Sequence, residues 1–181
     1  MVMLGMTVFA QSTEKAFSGA VAYLEVGGAG GVYSVNIENP FFDFGRWRGN
    51  VRLGYGQMHY RHPNNVFRTI PLGIHMFKHS GNHHAEIGAA LSYIAGYHYS
   101  EIFANSGSKM QSRGIFFVPM VGYRFQRPHG GLFFRVQYSP LIKIKEYGPR
   151  PYFQRFMGEP IHAPGLAVGY AFDKPLFRHR R

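Results

Sequence analysis

Cysteine is absent from the 181 residues, which removes disulfides and thiolate metal sites and leaves the redox compartment open. No apolar run reaches the roughly eighteen residues that a membrane-spanning helix needs. That exclusion does not extend to barrel strands, which are short and half polar. Acidic residues are scarce, nine against twenty Lys and Arg, for a net charge of +11 with histidine neutral. All charged residues together make up 16%, low beside the roughly 25% of a soluble domain. A basic chain invites a nucleic-acid reading, but the cations here are scattered between strands and at strand ends. They form no basic helix and sit in no Gly-rich RNA-binding signature, so no nucleic-acid partner is expected. An anionic lipid surface fits the distribution better.

What the chain has instead is aromatics, glycine and strict alternation. The stretch Phe116 to Leu141 is the clearest example. Phe117, Pro119, Val121, Tyr123 and Phe125 share one face, against Val118, Met120, Gly122, Arg124 and Gln126. After Arg127 to Gly130 the plan repeats, with Leu132, Phe134, Val136, Tyr138 and Pro140 opposite Phe133, Arg135, Gln137 and Ser139. Period two over about ten residues is a strand signal. The unbroken apolar face ends in aromatics while the other face holds arginine and glutamine, the polarity of a barrel turned apolar side out. The same scheme is read in Ala20–Gly27, Val32–Phe42, Arg46–Tyr60, Thr69–Phe77, His84–Tyr93 and Pro164–Phe172. Between the first two the apolar parity flips across Gly27-Gly28-Ala29-Gly30-Gly31, as either a hairpin turn or a bulge would do.

With the glycines as a turn, the count predicts an all-β fold: an eight-stranded antiparallel up-and-down transmembrane β-barrel over residues 11–172. Outward positions hold almost no Lys, Glu or Asp, which argues against a soluble lipocalin-like ligand-binding barrel, the third reading carried. Trp47, Tyr55, Tyr93, Tyr123, Phe125, Tyr138, Tyr170 and Phe172 fall near strand ends on outward faces, where interfacial aromatics belong. The connections at 79–82 and 127–130 are tight, those at 99–112 and 146–163 long. Outer-membrane barrels keep short turns in the periplasm and long loops outside. The barrel is therefore expected in a bacterial outer membrane, with the basic tail 173–181 periplasmic. Residues 1–10 read as part of a secretory signal, with small residues before a cleavage point after Ala10.

The segments LEVGGAGGVYSVNIE, TIPLGI, HAEIGAALSY, VPMVGYRFQ, GGLFFRVQYSPL and PGLAVGYAF resemble the small, largely uncharacterised outer-membrane barrels of the Bacteroides group. The resemblance covers roughly Tyr23 to Phe172, its most specific pieces being VGYRFQ…GGLFFR…SPL and GLAVGYAF. It implies fold and compartment, and carries no activity. A strand closing on an aromatic also resembles the signal read by the outer-membrane insertion machinery, although here DKPLFRHRR follows Phe172.

Three sets of residues are candidates for chemistry. Inward faces carry Glu25, Glu38 and Glu86 among Arg48, Arg52, Arg124 and Arg135, inside a barrel just wide enough for side chains. Buried charges must be compensated, so a lumen salt-bridge network is expected, with Glu25, Glu86, Arg52 and Arg135 its chief members, closing the bore rather than gating an ion path. At strand ends and in outer loops, Lys109, Arg113, Lys143, Lys145 and Arg150 are candidates for contact with lipid phosphates, those of lipopolysaccharide in particular. His98-Tyr99-Ser100 is similar to the H-x-S motif of outer-membrane lipid A deacylases, in which histidine activates a serine nucleophile; the family's next residue is asparagine, and here it is Glu101. A lipid-modifying hydrolase using Ser100 and His98 is thus the alternative to a structural or interaction barrel that engages lipid and an outer-membrane protein partner. His83-His84 and His59-x-x-His62 lack an accompanying carboxylate cluster, so neither a metal site nor a cofactor is expected.

Overall fold

The computed structural model describes residues 19–44, 47–60, 62–78, 81–99, 109–148 and 161–176, with the backbone alone for 58–60, 62–65, 97–99 and 109–110. Their strands are β1 (Val21–Gly27), β2 (Tyr33–Phe44), β3 (Trp47–Tyr60), β4 (His62–Lys78), β5 (His83–Tyr99), β6 (Lys109–Gln126), β7 (Gly131–Tyr138), β8 (Ile142–Tyr147) and β9 (Pro164–Ala171). Every neighbour pair is antiparallel, and the ring closes through β5–β6 and β1–β9. Strands β7 and β8 both pair with β6 and are two halves of one stave, interrupted at Ser139–Leu141. The fold is therefore an eight-stranded closed antiparallel barrel, which leaves no sheet edge along its girth.

Strands β4, β5 and β6 run beyond the ranges that alternation alone suggests. The β5–β6 ladder continues to Tyr99↔Lys109, so the loop that the sequence pattern placed between Tyr99 and Ser112 narrows to 100–108. Once neither face has to be apolar, the period-two signal lapses while backbone hydrogen bonding goes on. Strands β3 to β6 are 14 to 18 residues long and β8 carries the β7 stave up beside β6, whereas β1 and β9 have 7 and 8 residues. The wall is consequently high on one side of the long-loop mouth and low on the other.

The glycine segment is a turn, since β1 and β2 pair antiparallel across it. Gly27 and Gly31 have φ of 77° and 86°, and the Gly27 amide donates to the Val32 carbonyl at 2.9 Å. Between them Gly28–Gly30 makes one 3₁₀ turn that tucks into the barrel, all three residues buried. A Cβ on Gly28 would stand 2.3 Å from the Gln137 amide nitrogen, so glycine is required there for space as well as for φ. Ser92 Oγ donates 2.7 Å to the Ala29 carbonyl and ties the turn to the far wall.

Burial follows strand parity, with the sides that the alternation assigns. Leu24, Val35, Leu53, Leu72, Ile74, Ile87, Val121 and Val168 are all about half exposed on the outside. Trp47, Tyr123, Tyr170 and Phe172 ring the tight-turn end, and Tyr33, Tyr55, Tyr93, Tyr138 and Tyr147 ring the long-loop end. Eight residues separate Trp47 from Tyr55 along β3. At about 3.4 Å each and a tilt of about 40°, the two girdles lie roughly 20 Å apart, close to the ~25 Å apolar band of a transmembrane barrel.

Candidate functional site

Inside, three layers are stacked. At the tight-turn end Val21, Tyr23, Phe133, Ala167 and Ala171 form an apolar cluster. Near the opposite mouth Phe67, Ala90, Ile94, Phe116, Val118 and Leu141 pack around Ala29 of the tucked turn. Between the two lies a network of ionised groups with essentially no solvent exposure.

Its centre is Arg135. Nη2 reaches Glu38 Oε1 at 2.6 Å and Glu86 Oε1 at 3.0 Å, Nε reaches Glu86 Oε2 at 2.9 Å, and Nη1 donates to Tyr23 Oη at 2.9 Å. The Tyr23 hydroxyl in turn donates to Glu38 Oε1 at 2.8 Å. Arg124 bridges the same two carboxylates, to Glu38 Oε2 at 2.6 Å and Glu86 Oε1 at 3.0 Å, and its Nε donates to Gln126 at 2.7 Å. On the side toward the long-loop mouth, Arg52 donates to Glu25 Oε1 and to Asn36 Oδ1, both at 2.7 Å, while Gln137 donates to the other Glu25 oxygen at 3.2 Å. Three carboxylates thus face three guanidinium groups, and the inner charge cancels. Rings cover the flat faces of the cations: Phe77 lies 4.5 Å and Phe133 4.9 Å from the Arg124 guanidinium, and Tyr23 5.0 Å from that of Arg135. Such pairing is what desolvated charges require, since the attraction must outweigh the loss of hydration of each ion.

The four residues singled out from sequence, Glu25, Glu86, Arg52 and Arg135, lie in this network as the pairs Arg52–Glu25 and Arg135–Glu86. Glu38 and Arg124 belong to it equally; both sit at inward parity, the one signal that points to them. Arg48 stands apart toward the tight turns, paired with Asp43 at 2.6 Å. His75, also inward, faces Glu86 through Nδ1 at 3.2 Å.

Glu38, His75 and Glu86 offer ligand atoms within 4.8 Å of one another, enough to raise the question of a metal. Each of the four carboxylate oxygens there already accepts from a guanidinium. A dication added beside Arg124 and Arg135 would meet two positive charges at contact, so the cluster fits ion pairing and not metal binding.

The basic candidates divide by a bulge. Pairing of β6 with β8 shifts register between Ile115 and Phe116, so Lys143 aligns with inward Phe116 and Lys145 with outward Ile115. Lys143 accordingly turns toward the interior and pairs with Glu146 at 3.7 Å, away from the outer surface expected for it. Lys145 is exposed on the outer surface, its ammonium 4.9 Å from the centre of the Tyr147 ring, and Arg113 is exposed on the neighbouring strand, aligned with Tyr147. Ser100 and Arg150 lie outside the described residues; of His98 and Lys109 only the backbone is described, in the β5–β6 ladder.

No protein-family model matches this sequence, and no curated protein is detectably similar to it. Among solved structures, the chain is similar to the N-terminal β-barrel domain of Pseudomonas aeruginosa OprF, with a TM-score of 0.54 and 14% identity. The alignment covers 85% of this chain and 96% of that one, a likeness of fold between two β-barrels.

Proposed function

We propose that this protein is an integral outer-membrane β-barrel with a side-chain-filled lumen and a structural or interaction role. The observation that carries the reading is the pairing of an apolar outer surface with a charge-balanced, fully buried interior. In water the outer surface would expose a continuous apolar belt far larger than soluble monomers tolerate. In a bilayer the same belt, bounded by aromatic girdles, is at home. The closed ring satisfies the backbone hydrogen bonds that lipid cannot. The Arg–Glu network occupies the bore between two apolar clusters, which supports a plug in preference to a channel.

Orientation follows from the connections. Both described chain ends and the strand ends flanking 45–46, 79–82 and 127–130 fall at one end, and the strand ends flanking 28–32, 61, 100–108 and 149–160, which include the two longest connections, at the other. With short turns periplasmic, the tail beyond Phe172 is periplasmic and the longer segments face outward. Arg113 and Lys145 then stand on the outer surface at the level of Tyr147, where lipopolysaccharide phosphates would meet them.

The test is fractionation followed by electrophysiology. The protein should sediment with outer membranes, shift its gel mobility on boiling, and give no steady conductance in planar bilayers. Recovery in the soluble fraction without detergent would sink the membrane reading, and a steady open channel would sink the plug.

A further inference from the structure

We infer that the long-loop mouth holds a binding site for a single hydrocarbon chain, entered sideways from the membrane over the low part of the barrel wall. The inference rests on the membrane-embedded reading above. Above the tucked glycine turn lies a cavity of about 350 Å³. Its inner side is made by Phe67, Ile94, Leu141 and Ile161, its outer side by Val26 and Pro164. That volume falls within the range of small-ligand sites, roughly 300–1,000 Å³.

The two groups of residues belong to opposite surfaces of the barrel. Phe67, Ile94 and Leu141 are inward and buried, at 4%, 7% and 4% exposure. Val26 is 63% exposed on the outer surface, in line with Leu24 below it, and Pro164 is exposed at the start of β9. A single cavity can touch both only where the wall ends. It does so here, because the β1–β9 ladder stops at Gly27↔Gly165 while β3 to β6 continue past that level. The apolar outer belt therefore turns over the rim at Val26 and Pro164 and continues inside as Leu141 and Ile161.

The occupant follows from the lining. Water needs two to four polar partners to settle in a cavity. The polar side chains here are Thr69, Gln57 and His162, and the Gln57 amide oxygen already accepts from Tyr55 at 3.1 Å. His162 sits at the rim, hydrogen-bonded to Tyr138. No described charged side chain lines the space, so a charged or sugar-like ligand would lose its hydration without replacement. A hydrocarbon chain loses nothing, and the rim lies level with Tyr33 and Tyr138 of the girdle, at the edge of the hydrocarbon layer. The tucked turn gives the site a floor, so a chain entering over Val26 ends against Gly28 and Gly30 and does not pass down the bore.

Diazirine-bearing chains test this in the full-length protein reconstituted into phosphatidylglycerol–phosphatidylethanolamine vesicles. One probe carries the diazirine on a phospholipid acyl chain, the other on free palmitic acid. After illumination, mass spectrometry should find label on Phe67, Ile94 or Leu141 as well as on outward Leu72 and Leu91. Ala163→Trp, or independently Thr69→Phe, should cut inward label at least fivefold and leave outward label unchanged. Inward label from the phospholipid identifies a bilayer lipid as source and label from palmitate alone a free acid; either supports the site. Outward label without inward label overturns the site and leaves the membrane reading standing. Absence of label from both sets overturns the two together. Inward label that survives both blocking variants also overturns the site.

Discussion

Arg135→Met is the perturbation that interrogates the lumen most directly. Methionine approximates the length of the arginine stem and can still lie against Tyr23 and Phe133, so the loss is mainly of charge and of four hydrogen bonds. Without Arg135, Glu25, Glu38 and Glu86 face only Arg52 and Arg124, leaving one negative charge uncompensated in a fully buried layer. Removing one partner of a buried pair costs about 3–5 kcal/mol. The variant Glu86→Gln on its own leaves one positive charge in excess and is expected to cost a similar amount. The double variant Arg135→Met with Glu86→Gln restores two carboxylates against two guanidinium groups, so it should be less destabilised than the two single costs added, by about 2–3 kcal/mol. Urea unfolding in lipid vesicles measures this. Trp47, the sole tryptophan, is 44% exposed on the outer surface at the tight-turn girdle and reports membrane insertion by its emission. Additive costs in the double variant, or a cost below about 1 kcal/mol for Arg135→Met, would refute a charge-balanced network as the stabilising feature of the lumen.

Three further outcomes follow from the same geometry. Deleting the neutral-sum pair by Arg124→Ala with Glu38→Ala empties bore volume without stranding a single charge between Arg124 and Glu38, and should produce transient conductance in planar bilayers where the parent protein is silent; an equally silent variant would show that the apolar clusters alone seal the barrel. Ser92→Ala removes the side-chain donor to the buried Ala29 carbonyl and should cost about 1–3 kcal/mol, with faster amide exchange at Gly28 to Gly31 as the local signature. Arg113→Gln with Lys145→Gln should weaken stabilisation by lipopolysaccharide by about 1 kcal/mol per charge, read as the shift in thermal midpoint on titration. Lys143→Gln, whose amine faces Glu146, should leave that shift unchanged.

Legibility in the sequence varied with the range of the interaction. Alternation is local, so the side of the wall on which Leu53, Arg52, Glu86 or Arg135 stands can be read from a few neighbours. Parity alone leaves Gly27–Gly31 open between a turn and a bulge, and the eight-stave count holds only with the turn that the β1–β2 pairing shows. Pairing inside the lumen is not local: Arg135 meets Glu38 across 97 positions and Glu86 across 49. Which inward acid takes which inward base depends on register and stagger around the ring, and neither is written in any one strand. Lys143 and Lys145 show the same limit at smaller scale. Both hold odd positions in one segment, and only the bulge opposite Ile115 and Phe116 sends them to opposite sides of the wall. The inward tuck of Gly28–Gly30 was hidden for a related reason, since five residues of glycine and alanine carry no side-chain polarity to announce burial.

The distribution of strand lengths argues for a division of labour along the barrel axis. Below the tucked turn, every stave contributes an inward residue to a packed and charge-balanced interior, and substitutions there should register as lost stability. Above it, β1 and β9 have ended while β3 to β6 and the β8 half of the β7 stave continue, so the wall no longer encloses a common core. A barrel required only to span a membrane has no need of unequal staves, because the closed ladder is complete at the level of the shorter ones. The extra length of β3 to β6 instead builds a one-sided screen whose inner apolar residues, Phe67 and Ile94, stand across an open gap from Val26 and Pro164. Selection for a specific activity would therefore act at the mouth. Enlarging Ala163 or Thr69 should change what the protein binds with little effect on its unfolding midpoint, whereas Arg135→Met should do the reverse.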